Sequence, residues 1–337
     1  MMLEHSFAKA AEMGYEVIVI YGNPDNYVAR GFKSCKKYNV CRQDNGYQFG
    51  IIQANNIKGG IKMLELPEVS ARAAQIREHI TGKTVSCVRP PSKEHKFCWY
   101  NGESAAYHNA LAGKKVTGAE GFGIFVEISF EDDIRLCVND GINMSLIPVS
   151  KTPRNYQLLM EFSDGLALVF TVAMYGGIFL HKGDYDNEYY IKSRQAISPF
   201  APEFQEYFSR RRTESKKTLS AKAFLATEQR FPGIGNGVLQ DILFAARIHP
   251  KRKMETLSEK EWEILPGSVV SVLREMTDKG GRDTEKDIFG RPGGYQTKMS
   301  KMTYKSGCPR CGGSITKEAY MGGSVYYCPV CQPKEAE

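Results

Sequence analysis

The sequence predicts a multidomain α+β protein: an N-terminal α/β fragment, a β-sandwich preceded by a helix, a helical domain, and a small cysteine-bearing end. Three observations predict it. Residues 84–191 hold several short apolar runs separated by turn residues, residues 220–279 carry apolar positions at helical spacing, and the last thirty residues contain two Cys-x2-Cys pairs. Sheets with segregated helices are the α+β pattern.

The 337 residues correspond to about two domains, or three if one is small. With 42% hydrophobic and 25% charged residues, the chain is excluded from the disordered, collagenous and coiled-coil classes. Nine cysteines are too few for a disulfide-stapled miniprotein. No run approaches about 18 apolar residues, and residues 1–7 lack a basic stretch followed by an apolar one. A cytoplasmic protein is expected, nucleoid-associated if bacterial, with reduced thiols, so that closely spaced cysteines are metal ligands rather than disulfides.

Taken in order, residues 7–13 have helical spacing and residues 15–21 form a β-branched run that predicts a buried strand. Gly22-Asn23-Pro24 then supplies a turn, followed by Ala29-Arg30-Gly31-Phe32. This succession resembles the C-terminal portion of a GNAT-type acetyltransferase over about 50 residues, assigned to 1–55. The family's glycine-rich pyrophosphate loop is absent, so the resemblance implies a remnant rather than an active transferase. Residues 55–62 read as a polar linker, and a boundary is placed at Met63.

Pro67 suits the first turn of a helix and Glu68 complements its dipole, while Val69, Ala73, Ile76 and Ile80 mark one face that ends near Gly82. The runs 124–130, 134–138, 157–162 and 166–174 follow, the last two around Asp164-Gly165, a hairpin signal. Short strands at this density predict a sandwich. The helical region contains Gly233-Ile234-Gly235-Asn236, an amphipathic run 238–246, and a second helix near Ser258. Two helices joined by paired turns can aim backbone amides and an asparagine at a phosphate. The domains expected are 1–62, 63–195, 196–304 and 305–337.

Charge is concentrated in segment 209–254, where eleven Lys/Arg face three Asp/Glu, an excess of eight against +7 for the whole chain. A concentration of this kind is the footprint of a polyanion binder; its alternative is a charged interdomain linker. Cys308-Pro-Arg-Cys311, sixteen residues, and Cys328-Pro-Val-Cys331 have the spacing of a four-cysteine zinc site. Four thiolates leave no open position, so one structural zinc ion is expected. Cys35, Cys41, Cys87, Cys98 and Cys137 have no partner at metal spacing and read as small apolar residues, and His95, His108 and His181 receive no role.

Four separated motifs then recur in one order: 64–69 (LELPEV), Lys222 through Asn236 to His249-Pro250, Gly280-Gly281 through Gly294-Tyr295, and the terminal cysteine hairpin. Together they resemble the formamidopyrimidine-DNA glycosylase and endonuclease VIII family over residues 63–332. The resemblance implies a helix with a β-sandwich, a helix-two-turns-helix domain and a zinc finger, with damaged or abasic duplex DNA bound between the two halves by a monomer. It implies excision of an oxidised or ring-opened base flipped from the stack. Glu65 and Glu68 match the family's acidic pair and are the expected catalytic residues; the alternative is that both only complement a helix N-terminus. Lys222, Gly235 and Asn236 match its phosphate-contacting positions. Arg247, Lys251 and Arg252 are further candidates for DNA contact, and Tyr295 lies in the segment that resembles the lesion-covering loop.

Three positions depart from the family. Its nucleophilic N-terminal proline falls at Leu64, whose amine is locked in an amide in the chain as written, and a start at Met63 would normally leave methionine in place. The lysine of the sandwich falls near Phe122 or Gly123, and the arginine of the zinc hairpin at Gly323. Base excision with a weak or absent lyase step is therefore the expected activity. A non-catalytic binder of damaged or abasic DNA is the alternative.

Overall fold

The computed structural model describes residues 17–21, 50–54 and 64–334, with Asp140 and Met174 excepted. The chain divides into two units, Met1–Ile61 and Lys62–Glu337. In the first, strand β1 (Val17–Tyr21) pairs antiparallel with β2 (Gly50–Ala54), Val17 opposite Ala54. The strand expected at 15–21 is thus present. The helix expected at 7–13, the turn after Tyr21 and the linker at 55–62 lie outside the described residues.

The second unit opens with helix α1 (Leu66–Ile80), which has Pro67 in its first turn. Val69, Ala73, Ile76 and Ile80 are all buried, so the apolar face read from the sequence is the face that packs. Two sheets follow. One has the order β3 (Val85–Arg89), β9 (Leu158–Phe162), β10 (Leu166–Val172), β8 (Ile142–Pro148). The other has the order β4 (Cys98–Tyr100), β11 (Gly176–Lys182), β7 (Ile134–Val138), β6 (Phe125–Phe130), β5 (Val116–Phe122). Neighbours are antiparallel except β4 with β11.

Alternation along the strands sends Val126, Ile128, Leu136, Val138, Ile178, Leu158, Met160, Leu168 and Phe170 into one core with the α1 face. Gly165 turns β9 into β10 at φ 83°, and Asp164 Oδ1 accepts the Leu166 N–H, the side-chain turn that an Asp-Gly pair favours. The β-rich region is interrupted by two helices absent from the sequence reading, α2 (Tyr107–Leu111) and α3 (Glu188–Gln195). Asn187 caps α3 by accepting from the N–H groups of Tyr189 and Tyr190.

The helical region begins earlier than residue 220, with α4 (Phe204–Glu214), and continues through α5 (Ala221–Ala226), α6 (Val238–Ala245) and α7 (Glu259–Asp278). Ser258 closes a reciprocal capping box with Glu261, which fixes where α7 starts. Phe204, Phe208, Phe224, Phe231 and Trp262 form an aromatic centre for this second core. A hairpin of β12 (Thr316–Tyr320) and β13 (Gly323–Tyr327) ends the unit, turning at Met321 (φ 50°) and Gly322 (φ 77°). Two successive left-handed residues are what a two-residue hairpin loop requires.

Among the described residues no helix is long and apolar enough to cross a membrane.

Candidate active site and nucleic-acid interface

Glu65, extended at φ −118° and ψ 164°, precedes the first residue of α1 where the two cores meet, and the side chains at 64, 65 and 66 go to different places. Leu64 is buried in the sandwich core, Leu66 in the helical core, and Glu65 lies between them. The Leu66 N–H donates to the Gly233 carbonyl at 2.9 Å, which ties the start of α1 to the turn before α6.

Glu65 accepts from the backbone N–H of Gly237 at 2.8 Å and of Val238 at 2.6 Å. It therefore complements the N-terminus of α6, not that of its own helix, where it makes no side-chain cap. The glycines of the motif have a steric reason: a Cβ on Gly235 would come within 2.6 Å of Glu65 Oε1, and one on Gly237 within 1.5 Å of Arg282 Nη1. Gly235 was expected to face DNA; its missing side chain makes room for the carboxylate.

Arg282, which the sequence reading did not single out, organises both acids. Its Nη1 is 3.3 Å from Glu65 Oε2, and its backbone N–H, Nε and Nη2 reach Glu68 at 3.0, 3.0 and 2.8 Å. Gly280 (φ 72°) and Gly281 (φ 103°) reverse the chain after α7 and deliver it there. Burial pushes the Glu65 carboxyl above its ordinary range, and the repulsion of Glu68 adds to this, against the opposing pull of Arg282 and two backbone N–H groups. For Glu68, burial also raises the pKa, but the charge and hydrogen bonds of Arg282 outweigh it and hold the group low. Two adjacent carboxyls pushed in opposite directions are suited to different protonation roles.

On the neighbouring face, Lys222 Nζ donates to Asn236 Oδ1 at 2.6 Å and to the Tyr320 carbonyl at 2.8 Å, and Asn236 Nδ2 donates to the Ser324 carbonyl at 3.0 Å. Lys222, Asn236 and the tip of the terminal hairpin are thereby brought together. Gln240 pins the same hairpin through Ser324 and Tyr326, another residue the sequence did not flag. A Cβ on Gly323 would lie 3.2 Å from Asn236 Nδ2, so the position where the resemblance places an arginine is beside this cluster. Arg247 is exposed at φ 59°, directly after α6, and forms no ion pair among the described residues.

Other expected DNA contacts are corrected. Tyr295 is fully buried in the helical core, so its ring is a packing anchor. The segment before it is strapped to the sandwich: Arg72 donates to the Lys286 carbonyl, Gln75 to Asp287, and Ile288 enters the sandwich core. Arg252 is buried against Glu261, and Lys251 pairs with Glu318 at 2.6 Å. Arg211, Arg212 and Arg230 are also paired with carboxylates, which neutralises much of the local excess of charge. At the β5–β6 tip, Gly123 packs against Ser193 and Pro232, and the guanidinium over Phe122 is that of Arg194, itself bound to Glu120 and Glu127.

The thiols of Cys308, Cys311, Cys328 and Cys331 lie within 4.8 Å of one another. Cys308 and Cys331 are 3.8 Å apart and Cys311 and Cys328 3.5 Å, close to the roughly 3.8 Å edge of a tetrahedron with Zn–S of about 2.3 Å. The donor set fits a structural zinc ion. Phe244 of α6 packs into the same cluster as Cys308, Tyr326 and Cys328, and Gln332 donates to the Ile248 carbonyl at 2.9 Å, so the cysteine hairpin is seated on the helical domain.

Residues 196–287 match the model of the formamidopyrimidine-DNA glycosylase H2TH (helix-two-turns-helix) domain. The formamidopyrimidine-DNA glycosylase of Lactococcus lactis subsp. cremoris is 25% identical over 280 residues, covering 81% of this chain and 100% of that protein. That of Thermus thermophilus is 28% identical over 280 residues, covering 80% and 98%. The chain is similar to formamidopyrimidine-DNA glycosylases over about four fifths of its length, and residues 196–287 carry their H2TH domain. Its fold is that of the Lactococcus lactis Fpg protein solved with DNA containing an abasic site, with a TM-score of 0.69 at 24% identity over 80% of this chain and 100% of the other. The same protein solved with DNA containing an oxidised pyrimidine gives a TM-score of 0.69 at 24% identity. Within this family fold, residues 64–68 stand at the junction of the sandwich and the helix-two-turns-helix domain.

Proposed function

We propose that this protein is a DNA glycosylase of base-excision repair, which binds damaged duplex DNA and releases an oxidised or ring-opened base, with abasic-site lyase activity weak or absent. The observation that carries the reading is the placement of residues 64–66: Glu65 lies at the junction of the two cores, while the side chain at the nucleophile position, Leu64, is buried in the sandwich core. The chemistry is hydrolytic. Water oxygen bonds to the sugar C1′, the N-glycosidic bond breaks toward the base, Glu65 supplies the proton that the departing base takes up, and a proton of the water restores it. Glu68, held ionised by Arg282, fixes the start of α1.

Asn236 and Arg247 are the residues we assign to the DNA backbone, with Gly235 shaping the turn that presents Asn236 and the buried Lys222, expected to touch phosphate itself, orienting the Asn236 amide instead. Zinc held by Cys308, Cys311, Cys328 and Cys331 keeps the hairpin seated. The protein works as a monomer where chromosomal DNA is, and residues 1–62 are read as a fused fragment without a transferase role.

A second reading, a non-catalytic binder of damaged DNA, is favoured by one observation: both Glu65 oxygens are already engaged by Gly237, Val238 and Arg282. The experiment is incubation of this chain, and of a version starting at Met63, with labelled duplexes carrying 8-oxoguanine, an oxidised pyrimidine or an abasic site, with and without borohydride. Base release that disappears in Glu65→Gln, with no trapped adduct, is the result expected. Tight binding to the abasic duplex with no release from any substrate would establish the binder instead.

A further inference from the structure

On the face of the five-stranded sheet opposite the sandwich core, three adjacent strands bring together one carboxylate, one thiol and one imidazole. Glu127 of β6 sits directly opposite Cys137 of β7. Cys137 in turn faces Phe179 of β11, and His181 is two residues further along that strand on the same face. Their ligand atoms lie within 4.8 Å of one another: Cys137 Sγ is 2.9 Å from Glu127 Oε2 and 3.3 Å from His181 Nε2, and His181 Nε2 is 3.6 Å from Glu127 Oε2. All three are buried.

We propose that Glu127, Cys137 and His181 form a second metal site, distinct from the four-cysteine cluster, that takes a zinc-class divalent cation.

Three features point to a cation rather than to packing alone. First, the spacing fits: sulfur, nitrogen and oxygen donors around tetrahedral zinc stand about 3.3–3.8 Å apart, so the observed triangle needs to open by only a few tenths of an ångström. Second, the imidazole is set in the ligand tautomer. His181 Nδ1 is 3.0 Å from the Gly183 carbonyl, an acceptor only, so Nδ1 carries the proton and the Nε2 lone pair faces Cys137 and Glu127. Tyr185 stacks on the ring at 4.8 Å and holds that orientation.

Third, the carboxylate is oriented by partners on its far oxygen. Arg194 binds Glu127 Oε1, with Arg135 4.0 Å from the same atom, which leaves Oε2 toward Cys137 and His181. Tyr190 Oη, 2.7 Å from Oε2, adds a further oxygen at the cluster. Loading a dication displaces the thiol proton that Cys137 now donates to Glu127, releasing it to solvent, and the charges of thiolate and carboxylate then balance the metal. The two guanidiniums are offset by Glu120 and Asp133, which pair with Arg194 and Arg135.

The test is zinc stoichiometry of the full chain after loading with excess zinc and desalting, measured by elemental analysis. Two zinc ions per chain are expected, falling to one in Cys137→Ser and in His181→Gln. Cobalt loading of the same variants reports the four-thiolate site separately, and its spectrum should persist, which serves as the check that the variants fold. One zinc ion per wild-type chain would overturn the proposal without reference to any variant. Two ions in wild type that remain two in both variants would overturn it as well.

Discussion

Arg282 grips Glu68 with its backbone N–H and two guanidinium nitrogens while its third nitrogen, Nη1, reaches Glu65 at 3.3 Å. One cation thus holds the two acids at the start of α1, Glu65 just before it and Glu68 in its first turn, across a sequence separation of more than two hundred residues. Removing it leaves two buried carboxylates without the cation they share, with only two backbone N–H groups on Glu65 and the more distant Arg72 acting on Glu68. Arg282→Met should therefore lower stability by about 3–5 kcal/mol, and Arg282→Lys by less, because an ammonium keeps the charge but cannot reproduce the fork. Denaturant unfolding of the three proteins measures this directly. A loss under about 1 kcal/mol for the methionine variant would mean that the acids are protonated or solvated.

The absent hairpin cation can be restored. Gly323 lies next to Asn236, a Cβ there would stand 3.2 Å from Asn236 Nδ2, so that the amide has to give way by a few tenths of an ångström, and its φ is not left-handed. Gly323→Arg should strengthen binding to abasic duplex and raise the slope of log affinity against log salt by about one, the signature of one more phosphate contact. Binding isotherms at several salt concentrations test this. An affinity gain with an unchanged slope would assign the new side chain to something other than a phosphate.

How far these relationships could be read beforehand depends on how local they are. The α1 face, the Asp164-Gly165 hairpin and the cysteine quartet are written within a few turns or two knuckles of sequence, and Glu65, Glu68, Lys222 and Asn236 were picked out by motif order. Arg282 and Gln240 were not, because their partners are distant in the chain and no spacing encodes them. The opposite error arose from burial. Tyr295 and Arg252 look like surface groups in sequence, yet one fills the helical core and the other completes the cap of α7. Cys137 reads as a small apolar strand residue, and only the sheet register reveals that Glu127 faces it.

The zinc hairpin should be needed for DNA binding more than for the sandwich. Its packing runs through Phe244, Tyr326 and Cys328, and through Gln240 and Gln332 to α6 and Ile248. Cys328→Ser should lose one zinc ion and weaken abasic-duplex binding roughly tenfold or more, about 1.4 kcal/mol at least. The β-rich far-ultraviolet signal should remain. Zinc content, fluorescence anisotropy and circular dichroism on one preparation decide it; full loss of the circular dichroism signal would show that the hairpin is required for the whole fold.

The same docking gives a pH dependence with a definite sign. The His249 ring is buried against Tyr327 at 4.2 Å, and its Nδ1 accepts the Lys251 N–H at 3.0 Å, so it is held neutral. Burial pushes its pKa down to about 4; Glu318 opposes this, and Lys251 and Lys334 add to it. An unfolded histidine titrates near 6.5, so between about 6.5 and 4 the unfolded chain binds the extra proton, and stability falls as pH is lowered through that window. Above about 6.5 the group contributes no slope. The loss is at most about 3 kcal/mol, and it should be smaller in His249→Gln, whose amide oxygen can accept the same N–H. Carboxylates titrate over part of the same range, so the quantity to measure is the difference between wild type and variant in unfolding free energy at pH 7.5, 5.5 and 4.5. Parallel curves for the two proteins would show that His249 is protonated as readily in the folded state as in the unfolded one, and that the ring is not what seats the hairpin.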